Sequence, residues 1–116
     1  MGDSTYTIYD ATIRDQAIRW LKEDAPRHKD KPWVLFVSFV CPHFPLASPE
    51  KFFSLYPVDE MPMPVQSGKG GGQVHPFVEE RWRLAGYSLG FSEQQIKLAL
   101  AAYCGMVSYL DDNIAG

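Results

Sequence analysis

The sequence has little of several features that define large classes of protein. Its 116 residues include only two cysteines, Cys41 and Cys104, too few for a disulfide-stabilised scaffold. Both lie among apolar residues, so we expect them to be buried free thiols. The longest apolar run, residues 33–41, is much shorter than the roughly 20 residues that a membrane-spanning helix needs. The polar start of the chain lacks the apolar core of a signal peptide. These absences predict no membrane partner and a cytoplasmic location for the chain as expressed.

A surplus of positive charge is also missing. Lysine and arginine number 11 against 14 aspartates and glutamates, which gives a net charge of −3. The densest basic group, at residues 27–31, is interrupted by Asp30 and is typical of a solvated turn. Proteins bind nucleic acids largely through lysine and arginine contacts to phosphates. We therefore expect no nucleic-acid partner.

The first of two predicted helices covers residues 11–24. Asp10 or Thr12 is placed to cap its start, because a short side-chain oxygen there can accept an unpaired backbone N–H. Pro26 follows its end. One face carries apolar residues at helical spacing, namely Ile13, Ala17, Trp20 and Leu21.

The second predicted helix covers residues 93–114. Ser92 and Gln95 form a capping box at its start. Apolar residues then recur at alternating steps of four and three, which predicts one continuous apolar seam: Ile96, Leu100, Tyr103, Val107, Leu110 and Ile114.

Residues 33–41 are predicted to form a strand covered on both faces, because side chains on both sides of the extended chain are apolar. Residues 5–9 have the composition of a weaker edge strand. The expected fold class is α/β, with a mixed or mostly parallel sheet sandwiched by helices. Two strands are too few for such a sheet, so we expect residues 1–116 to form a single partial domain. The proline- and glycine-rich connection within it, with a variable region at 58–90, is typical of a functional loop or of packing against a larger protein.

His43 follows the predicted strand directly, between Pro42 and Pro45. Open α/β folds bind ligands at the carboxyl ends of their strands, and the prolines stiffen the backbone around the ring. An imidazole there can donate a hydrogen bond to an anionic oxygen or a proton to a leaving group. For an isolated histidine the favoured interpretation is a residue that only caps a turn, because single titratable groups are rarely catalytic, and both interpretations stay open at this point.

Other candidate residues favour structural roles. Cys41 shares a face with His43, but a buried, unreactive thiol is favoured. Consecutive helical residues point in different directions, so 111–113 cannot converge on a metal, and we expect no metal site in this chain. Residues 67–72 lack the serine or threonine after the lysine that a phosphate-binding loop needs, which favours a flexible loop. His75 lies in the variable region, where substrate contact is the less favoured alternative.

Several stretches match the motifs of one family in the order that the family carries them. Residues 31–46 resemble a "PFFL"-like strand followed by "PHxP", residues 48–57 a "P-x-x-F-x-x-x-Y" segment, and residues 102–114 a "YYGxVSxLDDxIG" helix. Residues 13–21 fit the "AIxWL" helix that precedes the strand. The family is the sulfatases, within the alkaline-phosphatase-like superfamily. The resemblance covers most of the chain apart from roughly residues 58–90.

This resemblance implies a parent enzyme that hydrolyses sulfate esters. Its nucleophile would be a formylglycine made from the cysteine or serine of C/S-x-P-x-R, and its divalent cation, usually calcium, would be held by aspartates. The resemblance also implies that His43 contacts the sulfate or protonates the departing oxygen. Neither cysteine of this chain lies in such a motif. We therefore expect a central segment that is inactive by itself.

Two alternatives remain. The parent can act on phosphate or phosphonate esters, because related enzymes share the scaffold. The chain can also be a non-catalytic unit that forms homo-oligomers through an exposed strand edge or through the apolar seam of residues 96–114.

Overall fold

The computed structural model describes residues 2–64, 74–86 and 90–115. Its helices are α1 (Thr5–Glu23), α2 (Glu50–Phe53), α3 (Pro76–Leu84) and α4 (Glu93–Ala115). Short 3-10 turns lie at Ala25–Arg27 and Val58–Glu60. Helix α4 packs against α1, α2 and the second of these turns, so it contacts more elements than any other described helix. None of the described helices is long and apolar enough to cross a membrane.

The predicted α/β fold is wrong, since the described part of the chain contains helices and no β-strand. Residues 33–40 belong to no helix or strand, and exposed and half-buried residues alternate over 34–39 as in an extended chain, so they are called here the extended segment. A strand also needs a neighbour that pairs with its backbone N–H and C=O groups. The segment lies beside α1 instead, where the Trp33 ring meets the Trp20 ring edge-on at 4.8 Å between centroids. Its apolar side chains are covered on one face only. Val34 and Phe36 are 96% and 86% exposed.

Residues 5–9, predicted as an edge strand, form the first turns of α1. Ser4 caps this helix: its Oγ accepts from the Thr7 N–H, and the Thr7 Oγ1 accepts from the Ser4 N–H at 2.8 Å. Two otherwise unpaired N–H groups are thereby satisfied, which outweighs the weak strand preference of β-branched residues. The helix therefore starts at Thr5, about six residues before the predicted start at residue 11, and neither Asp10 nor Thr12 is its cap.

The helix predicted over residues 93–114 spans Glu93–Ala115, with the Ser92–Gln95 capping box formed in both directions. Its buried face differs from the predicted seam, however. Tyr103, Val107 and Ile114 of that seam are exposed. The buried face consists of Ala101, Ala102, Gly105, Met106, Tyr109 and Asn113. Small residues lie on this face because they allow other parts of the backbone to come close.

The core cluster joins α4 to α2 and to the end of the extended segment. Cys41, Phe52, Met106 and Tyr109 are buried together. The rings of Phe52 and Tyr109 meet edge-on at 5.4 Å between centroids, a favourable aromatic geometry. The Tyr109 hydroxyl also donates to the Thr7 carbonyl, so the same residue ties α4 to α1.

A second link between α1 and α4 lies farther along both helices. The Asn113 side chain is buried, donates to the Tyr109 carbonyl at 2.9 Å and accepts from Arg14 Nη1 at 3.1 Å. A buried amide without partners would be costly, and here both of its polar atoms are paired. This network holds α1 against α4 at a second point, near the middle of α1.

Helix α4 comes close to α2 and to the residues before it at Gly105. A Cβ built there would lie 2.5 Å from Ser48 Oγ and 3.1 Å from Phe53 Cα. Both distances are shorter than ordinary van der Waals contact, and Ser48 is fully buried. Only glycine therefore lets α4 contact the start and end of α2 at this separation.

We predict that Gly105→Ala lowers the free energy of unfolding by about 1–3 kcal/mol, the usual cost of overpacking a filled site. The better helix propensity of alanine, worth about 1 kcal/mol, acts in the opposite direction. Urea unfolding measures the net effect. Adding Ser48→Ala removes the nearest atom and should recover part of the loss, with Ser48→Ala alone as the control. A Gly105→Ala chain more resistant to urea than the parent would contradict this packing.

Candidate active-site turn

The candidate site is the turn formed by residues 41–46, called here the His43 turn. Its backbone is held by short hydrogen bonds: the His43 N–H donates to the Val40 carbonyl at 2.9 Å, and the Ala47 N–H donates to the Pro45 carbonyl at 2.8 Å. The Cys41–Pro42 and Phe44–Pro45 peptide bonds are both cis. Prolines on either side of His43 fix φ and leave its backbone little freedom. The extended segment therefore ends in a defined turn.

The His43 side chain is exposed, but its ring is oriented by its neighbours. Nδ1 lies 2.7 Å from the Phe44 carbonyl oxygen. A carbonyl only accepts, so Nδ1 carries the proton and donates. The ring stacks on the Phe44 ring with centroids 4.4 Å apart and meets the Tyr6 ring edge-on at 6.1 Å.

This orientation determines which atom of His43 is available for chemistry. No described residue makes a hydrogen bond to Nε2. In the neutral ring Nε2 is an acceptor, and in the protonated ring it is a second donor. A group of this kind can donate to an anionic oxygen or transfer a proton to a leaving group, provided the substrate approaches from the Nε2 side.

The sequence patterns did not indicate the role of Asp10 beside this turn. Asp10 is fully buried in α1, and its Oδ1 and Oδ2 accept from the backbone N–H groups of Val40 and Cys41 at 2.7 and 2.8 Å. The available signal was an aspartate among the apolar residues of an amphipathic helix. A buried carboxylate needs hydrogen-bond donors, which indicates a fixed partner nearby.

Cys41 is a buried free thiol, as predicted, whereas Cys104 is half-buried. Burial, with the Asp10 carboxylate as a further cause, raises the pKa of the Cys41 thiol to about 12. The thiolate is the nucleophilic form, so Cys41 is unreactive near neutral pH. It therefore does not act as a nucleophile beside His43.

The other candidate residues have structural contacts. His75 caps α3, its Nδ1 accepting from the Phe77 N–H at 3.2 Å. Asp112 forms an exposed ion pair with Lys51 at 3.5 Å. Residues 67–72, predicted as a flexible loop, lie outside the described ranges. In residues 2–64, 74–86 and 90–115, no three histidine, cysteine, aspartate or glutamate side chains lie close enough together to hold a metal ion.

Known proteins are similar to this chain in sequence. A family profile described as Sulfatase matches residues 2–116. The chain is 30% identical over 103 residues to an arylsulfatase of Clostridium perfringens, covering 88% of this chain and 20% of that protein. It is 25% identical over 99 residues to a sulfatase of Formosa agariphila, covering 83% and 20%. It is 26% identical over 105 residues to a choline-sulfatase of Rhizobium meliloti, covering 90% and 20%.

No solved structure is significantly similar to this chain. The chain spans about a fifth of the length of the curated relatives it matches. The family profile nevertheless covers nearly every residue, including the His43 turn and α4, and it confirms the resemblance that the sequence motifs indicated. The chain belongs to the sulfatase family.

Proposed function

We propose that this chain is part of a sulfuric ester hydrolase in which His43 contacts the sulfate group or protonates the departing oxygen. The hydrogen bond from Nδ1 to the Phe44 carbonyl carries this proposal. It fixes the ring and leaves Nε2 as the atom that meets a substrate. The similarity to an arylsulfatase and a choline-sulfatase supports sulfate esters as the substrate class, with phosphate or phosphonate esters as the alternative.

The two possible roles of His43 differ in what Nε2 must supply. As a sulfate contact it donates a hydrogen bond to an oxygen whose negative charge persists through the reaction. As a general acid it transfers a proton to the oxygen that leaves, which matters most when that oxygen is strongly basic. We propose that the nucleophile and the residues that bind calcium in the parent enzyme lie outside this chain. The nucleophile's motif, C/S-x-P-x-R, is not in its sequence.

Replacement of His43 in the natural enzyme that carries these residues tests the proposal. We expect His43→Ala to lower kcat by about 10²–10⁴-fold, the usual contribution of a general acid. His43→Gln retains a hydrogen-bond donor but cannot transfer a proton. kcat/KM should therefore be measured for aryl sulfates whose phenols differ in pKa. A loss in His43→Gln that grows with phenol pKa indicates the acid, and a uniform loss recovered in part by glutamine indicates the sulfate contact.

The matched control for this experiment is His75→Ala, which removes a helix cap instead of a residue of the turn. It should retain most of the activity. A His43→Ala enzyme that turns over aryl sulfates as fast as the parent would contradict both roles. The same series with aryl phosphates tests the alternative substrate class.

The chain alone is expected to be inactive. Purified chain with calcium should not release phenol from an aryl sulfate above the rate without protein. Turnover that His43→Ala abolishes would contradict the hypothesis that catalysis needs residues outside this chain.

A second candidate function is self-association, favoured by the exposure of the extended segment. Val34 and Phe36 are almost fully exposed apolar side chains on one face of residues 33–40. Neighbouring apolar side chains that remain in water favour a partner. A second copy of the chain provides the same apolar face.

We predict that light scattering detects a dimer or larger species, because burying these side chains releases about 25 cal/mol for each Å² of apolar surface. Phe36→Lys should shift the chain toward monomer. Leu55→Lys places the same charge at an exposed apolar position elsewhere and should leave the equilibrium unchanged. A parent chain that stays monomeric at high concentration would contradict self-association.

A further inference from the structure

The paired hydrogen bonds of Asp10 lie where the extended segment changes direction. In an extended chain, neighbouring N–H groups point to opposite sides. The Val40 and Cys41 N–H groups nevertheless reach the two oxygens of one carboxylate, because the backbone turns at Cys41. The carboxylate therefore stabilises the backbone conformation at the start of the His43 turn.

The same face of α1 contacts the turn a second time. Tyr6 lies four residues before Asp10, so the two side chains are neighbours on the helix. The Tyr6 ring meets the His43 ring edge-on. Val40 connects the two contacts, since its N–H donates to Asp10 and its carbonyl accepts from the His43 N–H. Asp10 and Tyr6 thus hold the start of the turn and its imidazole.

Helix α1 is itself fixed to the core by contacts on either side of Asp10. The Thr7 carbonyl accepts from the Tyr109 hydroxyl, and Arg14 donates to Asn113. Through α1, these contacts also fix the position of the His43 turn relative to α4. Asparagine is a poor substitute for Asp10, because its NH₂ group would face one of the backbone N–H donors.

We propose that Asp10 is a positioning residue that fixes the His43 turn, and with it the imidazole, against α1. The catalytic meaning of this role depends on the function proposed for His43. The contact itself can be tested without any activity, so the two claims can fail separately.

Cys41 reports directly on the contact. In a Cys104→Ser chain it is the only thiol. Its burial and its pKa of about 12 should make reaction with a thiol reagent at pH 8 very slow. Asp10→Asn removes the charge that helps to raise this pKa and releases the turn. Both changes increase the accessible thiolate, and we expect labelling to accelerate by about tenfold or more.

Asn113→Ala is the matched control, because it breaks a buried hydrogen-bond network between α1 and α4 away from the turn. Labelling rates are compared at urea concentrations that give both variants the same global stability. Faster labelling in Asp10→Asn that persists after each rate is divided by the thiolate fraction, taken from the pH dependence of labelling, supports the positioning role. Equal rates in the two variants would overturn it.

A measurement on the unchanged chain covers the case in which Asp10→Asn does not fold. Hydrogen exchange should be slower at the Val40 and Cys41 amides than at the Ser38 amide, since only the first two donate to the buried carboxylate. Exchange as fast as at Ser38 would overturn the proposal.

The natural enzyme separates this inference from the function of His43. Asp10→Asn should reduce kcat more than Asn113→Ala does, and adding Asp10→Asn to His43→Ala should cause little further loss, because both changes act through one group. Accelerated Cys41 labelling with kcat unchanged would support the positioning role and count against the proposed function. Unchanged labelling would overturn the positioning role whatever the activity.

Discussion

The buried Asp10 carboxylate accepts hydrogen bonds from two consecutive backbone N–H groups, and these bonds link the helical core to the candidate site. Residues 33–40 have no paired strand beside them in the described structure, so these two hydrogen bonds and the packing of Cys41 in the core hold the end of the segment. The carboxylate could not remain buried without these donors. The amides, in turn, would lose their partners if the turn opened. Each side therefore stabilises the other, and the position of His43 follows from α1.

The packing of α4 explains why α1 can serve as the reference. Its buried face is made of small residues with Met106 and Tyr109 between them, and Gly105 brings the helix close to Ser48 and Phe53. Tyr109 contacts Phe52 of α2 with its ring and Thr7 of α1 with its hydroxyl. One residue thereby couples the two elements on either side of the His43 turn in sequence.

Part of this structure was readable from the sequence. The Ser92–Gln95 capping box marked the start of α4, because both partners of the motif lie at fixed spacing. The prolines around His43 marked a turn for a similarly local reason. The buried face of α4 was misassigned, because large apolar residues were expected inside, whereas close helix contacts selected glycine and alanine. Residues 33–41 were misassigned because an apolar composition on both faces does not supply a paired neighbour. Asp10 was missed because its donors lie about thirty residues away along the chain.

Family membership and local geometry give complementary information about His43. The family supports the class of reaction proposed for the parent enzyme, and the contact between Nδ1 and the Phe44 carbonyl leaves Nε2 as the nitrogen proposed to take part. The most direct test is ¹⁵N NMR of the imidazoles in histidine-labelled chain at alkaline pH, with His28 and His75 assigned by substitution. The account predicts that neutral His43 carries its proton on Nδ1, with Nε2 unprotonated. A neutral His43 protonated on Nε2 would contradict it.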